Sequence, residues 1–186
     1  MNTQNFSIDE ARHVRDLNKV KVWRTIQLGE NESVKAICGD LLITSRIIRD
    51  PYTYISTHDQ IVCMTKKVEL DLYAISVDMA GMTHGQTWSG VREGLEEAGY
   101  WQCPNEVGPK LAIDYQNQPF RESLWILTEP FIDKFSQPHM FIVGRDEKGC
   151  YLTNSICATD GFITDSDIAI CCKRDQLVKF GLIEPY

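Results

Sequence analysis

The closing third of the chain, residues 122–173, restricts the fold more than any other stretch. It holds four short apolar runs: 123–132 (SLWILTEPFI), 139–144 (HMFIVG), 150–153 (CYLT) and 168–173 (IAICCK). Each is rich in β-branched or aromatic residues and bounded by Pro, Gly, Asp or Ser, the pattern of strands inside a core. Strands this apolar have to be covered, so the upstream residues are read as the cover.

The chain opens with Ser7-Ile8-Asp9-Glu10, an S-x-x-E capping box that predicts a helix over 8–17. Residues 19–28 then alternate, with Val20, Val22 and Arg24 on one side and Lys21, Trp23 and Thr25 on the other, which reads as an edge strand. Asn31 is placed to cap a short helix through Ile37, with Gly39 as its stop. Residues 41–48 read as a strand closed by Arg49-Asp50-Pro51, because a residue before proline is pushed out of the helical region. Two more strands are expected at 60–65 and 68–77. The second changes from one apolar face to two, as a strand does when it runs from an edge into a core.

Beyond a flexible connection at 81–86, Thr87 opens the clearest helix, with Trp88, Val91, Leu95 and Ala98 on one face and Gly99 at its end. Residues 109–115 alternate and read as a strand pairing with 123–132, while 175–180 reads as a short helix that folds back. The architecture these elements imply is α+β, a mainly antiparallel β-sheet with helices packed on one face. It is taken as one domain over 1–186, with an N-terminal subregion 1–80 and a C-terminal β-rich subregion 87–186.

A chain of 186 residues, 43% hydrophobic, is long enough to bury most of its apolar surface in one core. A net charge of -7 argues against a nucleic-acid partner, which calls for a basic face. Arg12, Arg15, Lys19, Lys21 and Arg24 are interleaved with Asp9, Glu10 and Asp16 and read as a solvated face. Seven cysteines, with no C-x-x-C and no secretory pattern, point to a reducing cytoplasm. No apolar run reaches the length a bilayer requires, so no membrane span is expected.

Cys103-Pro104-Asn105-Glu106-Val107-Gly108-Pro109, followed by Leu111, Tyr115, Gln118-Pro119, Glu129-Pro130 and Phe141, resembles a C-P-x-E-V-G-P-x-L core shared by uncharacterised bacterial proteins. The resemblance covers roughly 88–173 and implies no activity. Physically, Gly108-Pro109 punctuates the backbone and Glu106 is suited to hydrogen-bond the neighbouring amides, so a structural staple is the preferred reading.

His139 at the start of a strand, with Asn154 beyond the next, is similar to the His and Asn half of papain-like cysteine peptidases. There an Asn orients the imidazole that activates a thiol. Such enzymes carry the nucleophile at a helix N-terminus, but Gln86-Thr87-Trp88-Ser89 supplies no Cys, which leaves Cys38, Cys63 and Cys103 as candidates. Asp160, Asp165 and Asp167 crowd one loop, although their spacing does not match the helix-loop-helix calcium pattern. His13, His58, His84 and His139 form no close ligand pair with a cysteine, and Cys171-Cys172 point to opposite faces, so neither a metal nor a cofactor is expected.

Tyr100 and Trp101, just past a helix end, are the aromatics expected to be partly exposed and therefore to bind. The leading expectation is a small acidic cytoplasmic protein that binds a protein or a small ligand without catalysis. The alternatives are a thiol-dependent hydrolase using Cys103, His139 and Asn154, and self-assembly through the edge strand 20–28.

Overall fold

A computed structural model describes residues 6–30, 33–43, 47–48, 60, 62–80, 87–157 and 167–185. Its strands are β1 (Arg24–Leu28), β2 (Ile47–Ile48), β3 (Val68–Ser76), β4 (Tyr100–Trp101), β5 (Ser123–Ile126), β6 (Phe131–Ile132), β7 (Pro138–Asp146), β8 (Gly149–Ile156) and β9 (Ile168–Lys173). They form one sheet in the order β1-β3-β9-β5-β7-β8-β2, with β4 on β9 and β6 on β7. Most pairs are antiparallel, but β5 runs parallel to β9 and β2 parallel to β8, so the sheet is mixed. The fold is α+β.

Strand β9 shows why the closing stretch dominates. It lies between β3 and β5, and its first five residues are all buried. Ile168, Ile170 and Cys172 join one apolar cluster while Ala169 and Cys171 join another. A strand covered on both faces reads as a continuous apolar run rather than as an alternation. Strand β3 makes the expected passage from edge to core: residues 68–72 pair with β1, residues 73–76 pair with β9, and burial deepens along its length.

Two buried faces need two covers, which corrects the expectation of helices on one face. Helices α1 (Ile8–His13), α2 (Val34–Ile43) and α5 (Val107–Asp114) pack Ile8, Ile37, Leu41, Val107 and Leu111 against Leu72, Leu124, Phe141 and Ile170. On the opposite face, α3 (Val77–Ala80) and α4 (Trp88–Glu97) set Val77, Trp88, Val91 and Leu95 on Ile75, Met140 and Ala169. The last helix, α6 (Arg174–Lys179), buries Leu177 on the first side. Among the described residues no helix is long and apolar enough to cross a membrane.

Local signals hold where the cap chemistry is explicit. Ser7 and Glu10 form the reciprocal capping box, although α1 ends at His13. The Thr87 hydroxyl accepts from the Gly90 amide to open α4, and Gly99 closes that region with φ +76.

Other expectations fail for identifiable reasons. Residues 109–115 are helical, not a strand. Val107, Gly108, Leu111 and Ala112 are buried at helical spacing, and Pro109 falls in the first turn, where its missing N–H costs no hydrogen bond. The proposed pairing with 123–132 therefore does not exist, and that run divides into β5 and β6 around Thr128 and Pro130. Helix α2 continues through Gly39, where a Cβ would meet nothing within 4 Å, and takes in Leu41. The described part of 60–65 is not a strand, because the Met64 amide is bonded to the Glu106 side chain instead of to a ladder. The expectations for Asn31, for Arg49-Asp50-Pro51 and for the loop 81–86 lie outside the described residues.

Candidate functional site

Cys103 follows β4 and opens the segment that leads into α5. Its amide donates to Leu127 O at 2.7 Å, its thiol to Ile170 O at 3.8 Å, and the residue is buried. Burial, and then the neighbouring Cys172, push that thiol well above its ordinary range, so it is a poor nucleophile at neutral pH. Three residues on, the buried Glu106 carboxylate accepts from the Gly29 amide at 3.0 Å and the Met64 amide at 2.7 Å. It ties two distant segments to the start of α5. The staple reading fits this geometry, though the amides lie far away in sequence and not beside Glu106.

His139 lies on β7 opposite Ile156, its ring stacked on Phe131 at 5.9 Å. Its Nε2 is 3.2 Å from Asp133 Oδ2. That carboxylate also accepts from the Phe135 and Gln137 amides, and backbone bonds hold it below the usual range. Asn154 opposes Phe141 and makes no hydrogen bond to the imidazole. Cys103, His139 and Asn154 are therefore not assembled into a relay. Cys63 is half-buried beside Met64, and the Cys38 side chain lies outside the described residues.

Tyr100 is interior, contrary to expectation: its hydroxyl donates to Leu17 O at 2.9 Å and Lys173 Nζ sits 3.4 Å from its ring centroid. Trp101 is partly exposed, with the Arg174 guanidinium 5.4 Å from its ring. It borders a groove of about 260 Å³ with Met64, Leu177 and Leu182. Asp160, Asp165, His58 and His84 lie outside the described residues, and among those described no three metal-binding side chains gather.

A different constellation carries unsatisfied polar groups. Between α1, the start of β1 and the loop 115–122 lies a cavity of about 370 Å³. Arg24 points inward, sharing its strand face with Ile26 and Leu28. Its guanidinium lies 4.4 Å from the Tyr115 ring centroid and 5.4 Å from that of Trp23, and those two rings meet edge to face at 5.2 Å. Among the described residues Arg24 has no hydrogen-bond acceptor, and its Nε is buried without one.

At the other end of the same tyrosine, the hydroxyl donates to Glu122 Oε1 at 3.4 Å. Glu122 is 7% exposed, and its Oε2 is closed to solvent, with the Gln118 amide as the neighbouring donor. Burial raises its carboxyl above the ordinary value, against hydrogen bonds from Tyr115 and Gln118 and the charge of Arg12. The Tyr115 hydroxyl is pushed up as well, by burial and then by Glu122.

The chain matches no protein-family model, no curated protein and no solved structure. The site must therefore be read from its own chemistry. It has a cation without an acceptor over the face of one phenol and a buried carboxylate at that phenol's hydroxyl, both on residues that line a small cavity with aromatic neighbours. One signal was present in the sequence: Arg24 alternates in phase with Val20 and Val22, and a charged residue at a core-side position needs a reason. Nothing local marked Glu122, and Tyr115 stood out only among the residues that follow the Cys103 motif; the fold brings both to Arg24 from across the chain.

Proposed function

We propose that this is a small acidic cytoplasmic protein that binds a small polar ligand, without catalysis, in the cavity between Arg24 and Glu122. The observation that carries this reading is that Arg24, which finds no acceptor among the described residues, lines one cavity together with the buried carboxylate residue Glu122. An unpaired buried polar group costs about 1–3 kcal/mol, and a ligand that brings an acceptor to the Arg24 guanidinium offsets part of that cost. Binding is favoured over turnover because burial raises the pKa of the tyrosine there, which keeps it protonated and a poor proton donor at neutral pH, and the buried thiol of Cys103 belongs to a different part of the fold. The cytoplasmic part rests on free buried thiols such as Cys103, Cys171 and Cys172, which suit a reducing compartment.

The test is a thermal-shift screen of metabolite mixtures followed by calorimetry on wild type and Arg24→Met. A ligand at a hundred times its Kd adds about 2.7 kcal/mol, a rise of about 5–11 °C for a chain of this size. Such a shift, lost in Arg24→Met while the variant still melts cooperatively, is expected. A ligand that stabilises wild type and Arg24→Met equally refutes the assignment of the site.

A further inference from the structure

Away from the Arg24 cavity, and independently of that reading, we propose that Lys173 is a covalent capture site for small aldehydes. Its amine condenses with the carbonyl to an imine in the cleft beside α6.

Lys173 ends β9 in phase with Ala169 and Cys171, so a row that is buried under α3 and α4 closes on a charged side chain. Its Nζ lies 3.4 Å from the Tyr100 ring centroid and 5.9 Å from that of Tyr73, and those two rings meet edge to face at 5.3 Å. Ala98 O accepts from it at 3.3 Å, and among the described residues no carboxylate forms an ion pair with it. An ammonium has three N–H groups to place. Ala98 O and the Tyr100 face provide for two, and losing the third as a proton leaves both contacts standing. Burial lowers the amine below the ordinary lysine value, and Cys171 and Asp175 oppose that shift without cancelling it. Tyr73 and Tyr100 are both raised by burial and stay neutral, and Arg174 at the same cleft is a like charge.

A half-buried lysine without a counter-ion, on the wall of a cleft, is the form of this residue that acts as a nucleophile. The cleft is open and holds about 710 Å³, with Tyr73, Val178 and Pro185 as its apolar walls. Those walls suit an aldehyde with a small apolar body. The neutral amine adds to the carbonyl carbon, the carbonyl oxygen takes a proton from solvent, and a carbinolamine forms. Nitrogen then gives up a proton, the hydroxyl leaves as water, and the carbon–nitrogen double bond closes. One aldehyde and one amine yield one imine and one water, with no change of oxidation state. Condensation of this kind needs no leaving group, only a lone pair and exchange of protons and water with solvent, and a cleft open to water allows both.

The experiment treats the full chain with butanal or benzaldehyde in the presence of sodium cyanoborohydride, which reduces each imine to a stable secondary amine, and follows every lysine by mass spectrometry of timed digests. The Lys173 adduct is expected to form at least ten-fold faster than adducts at the exposed Lys148 and Lys179. Limiting acetic anhydride, applied between pH 6 and pH 10, reads the amine alone. Acetylation of Lys173 should reach half its plateau at a lower pH than that of Lys148. Tyr73→Ser, which lets water reach the amine, should slow aldehyde capture at Lys173 at least five-fold while leaving Lys148 within two-fold. If that variant melts early, Val178→Ser at the other wall gives the same readout.

Aldehyde capture at Lys173 no faster than at Lys148 and Lys179 overturns the proposal. Rapid acetylation without rapid aldehyde capture overturns it too, since the amine would then be reactive and the cleft would hold no carbonyl. An acetylation profile that follows pH as the exposed lysines do, or capture unchanged when the wall is opened, overturns the role assigned to burial and the proposal with it.

Discussion

Glu106 offers the sharpest test of the packing, because a single carboxylate serves two backbone amides from segments 77 and 42 residues away. Glu106→Ala leaves the half-buried Gly29 and Met64 amides without their acceptor. Two orphaned groups at about 1–3 kcal/mol each, relieved in part by water because both are half-buried, together with the lost packing, should cost about 3–5 kcal/mol. Glu106→Gln keeps one acceptor and turns an NH2 toward the other amide, so about 1–3 kcal/mol is expected. For a chain of this length each kcal/mol lowers the Tm by about 2–4 °C, giving about 6–20 °C for the alanine. Urea unfolding followed by circular dichroism should show the midpoint falling at constant m. Glu129→Gln, an exposed carboxylate on the groove rim, should stay within about 0.5 kcal/mol and serves as control. Glu106→Gln within about 0.5 kcal/mol of the parent would refute the staple, since the two amides would then not depend on that carboxylate.

Three further outcomes follow from the same geometry. Burial raises the Glu122 carboxyl, so its proton stabilises the fold fully below the ordinary value of 4.5 and that contribution is lost as pH rises through the folded value; Glu122→Gln should remove this loss and raise neutral-pH stability by about 1 kcal/mol, as read from urea midpoints between pH 4 and pH 8. A Cβ at Gly108 would fall 2.6 Å from the Phe141 ring, so Gly108→Ala should cost about 1–3 kcal/mol, and a neutral result in thermal melts would mean that α5 is not pressed on β7 there. Iodoacetamide at neutral pH should label the half-buried Cys63 and Cys150 before the buried Cys103, Cys157, Cys171 and Cys172, as mass spectrometry of timed digests would report; early labelling of Cys103 would revive the thiol-hydrolase alternative.

What the sequence revealed and what it hid divide along the range of the interactions. The capping box at Ser7, the cap at Thr87 and the apolar stripe through Trp88, Val91 and Leu95 are local devices, and each was legible. The unbroken hydrophobicity of 168–172 was also legible as burial, but its further consequence, that helices must cover both faces, depends on β9 being central in the sheet. Residues 109–115 misled because Leu111, Ile113 and Tyr115 alternate as a strand does, while Val107, Leu111 and Ala112 bury as a helix does. In seven residues those periods are hard to separate, and the tertiary partner Phe141 decides. Tyr100 was misplaced for a similar reason. Two residues pair with β9, and that short pairing puts one ring inside and leaves the other at the rim. Glu106 was recognised as an acceptor, but its donors lie too far away in sequence for any motif to name them.

The arrangement of Arg24 and Glu122 bears on why the cavity exists at all. An inward-pointing charge on an edge strand discourages strand addition, and Arg24 on β1 would serve that purpose alone. A guard of this kind has no need of a buried carboxylate nearby, and a chain shaped for stability alone would let the two neutralise each other. Instead both groups are engaged by Tyr115, with the cation over its face and the carboxylate at its hydroxyl. A double-mutant cycle separates the two purposes. If the groups are held apart for a ligand, Arg24→Met and Glu122→Gln should be additive in the ligand-free protein within about 0.5 kcal/mol, and any coupling should appear only with ligand bound. A coupling of 1 kcal/mol or more without ligand would mean that the arginine and the carboxylate already satisfy one another, and the cavity would then be a by-product of edge protection.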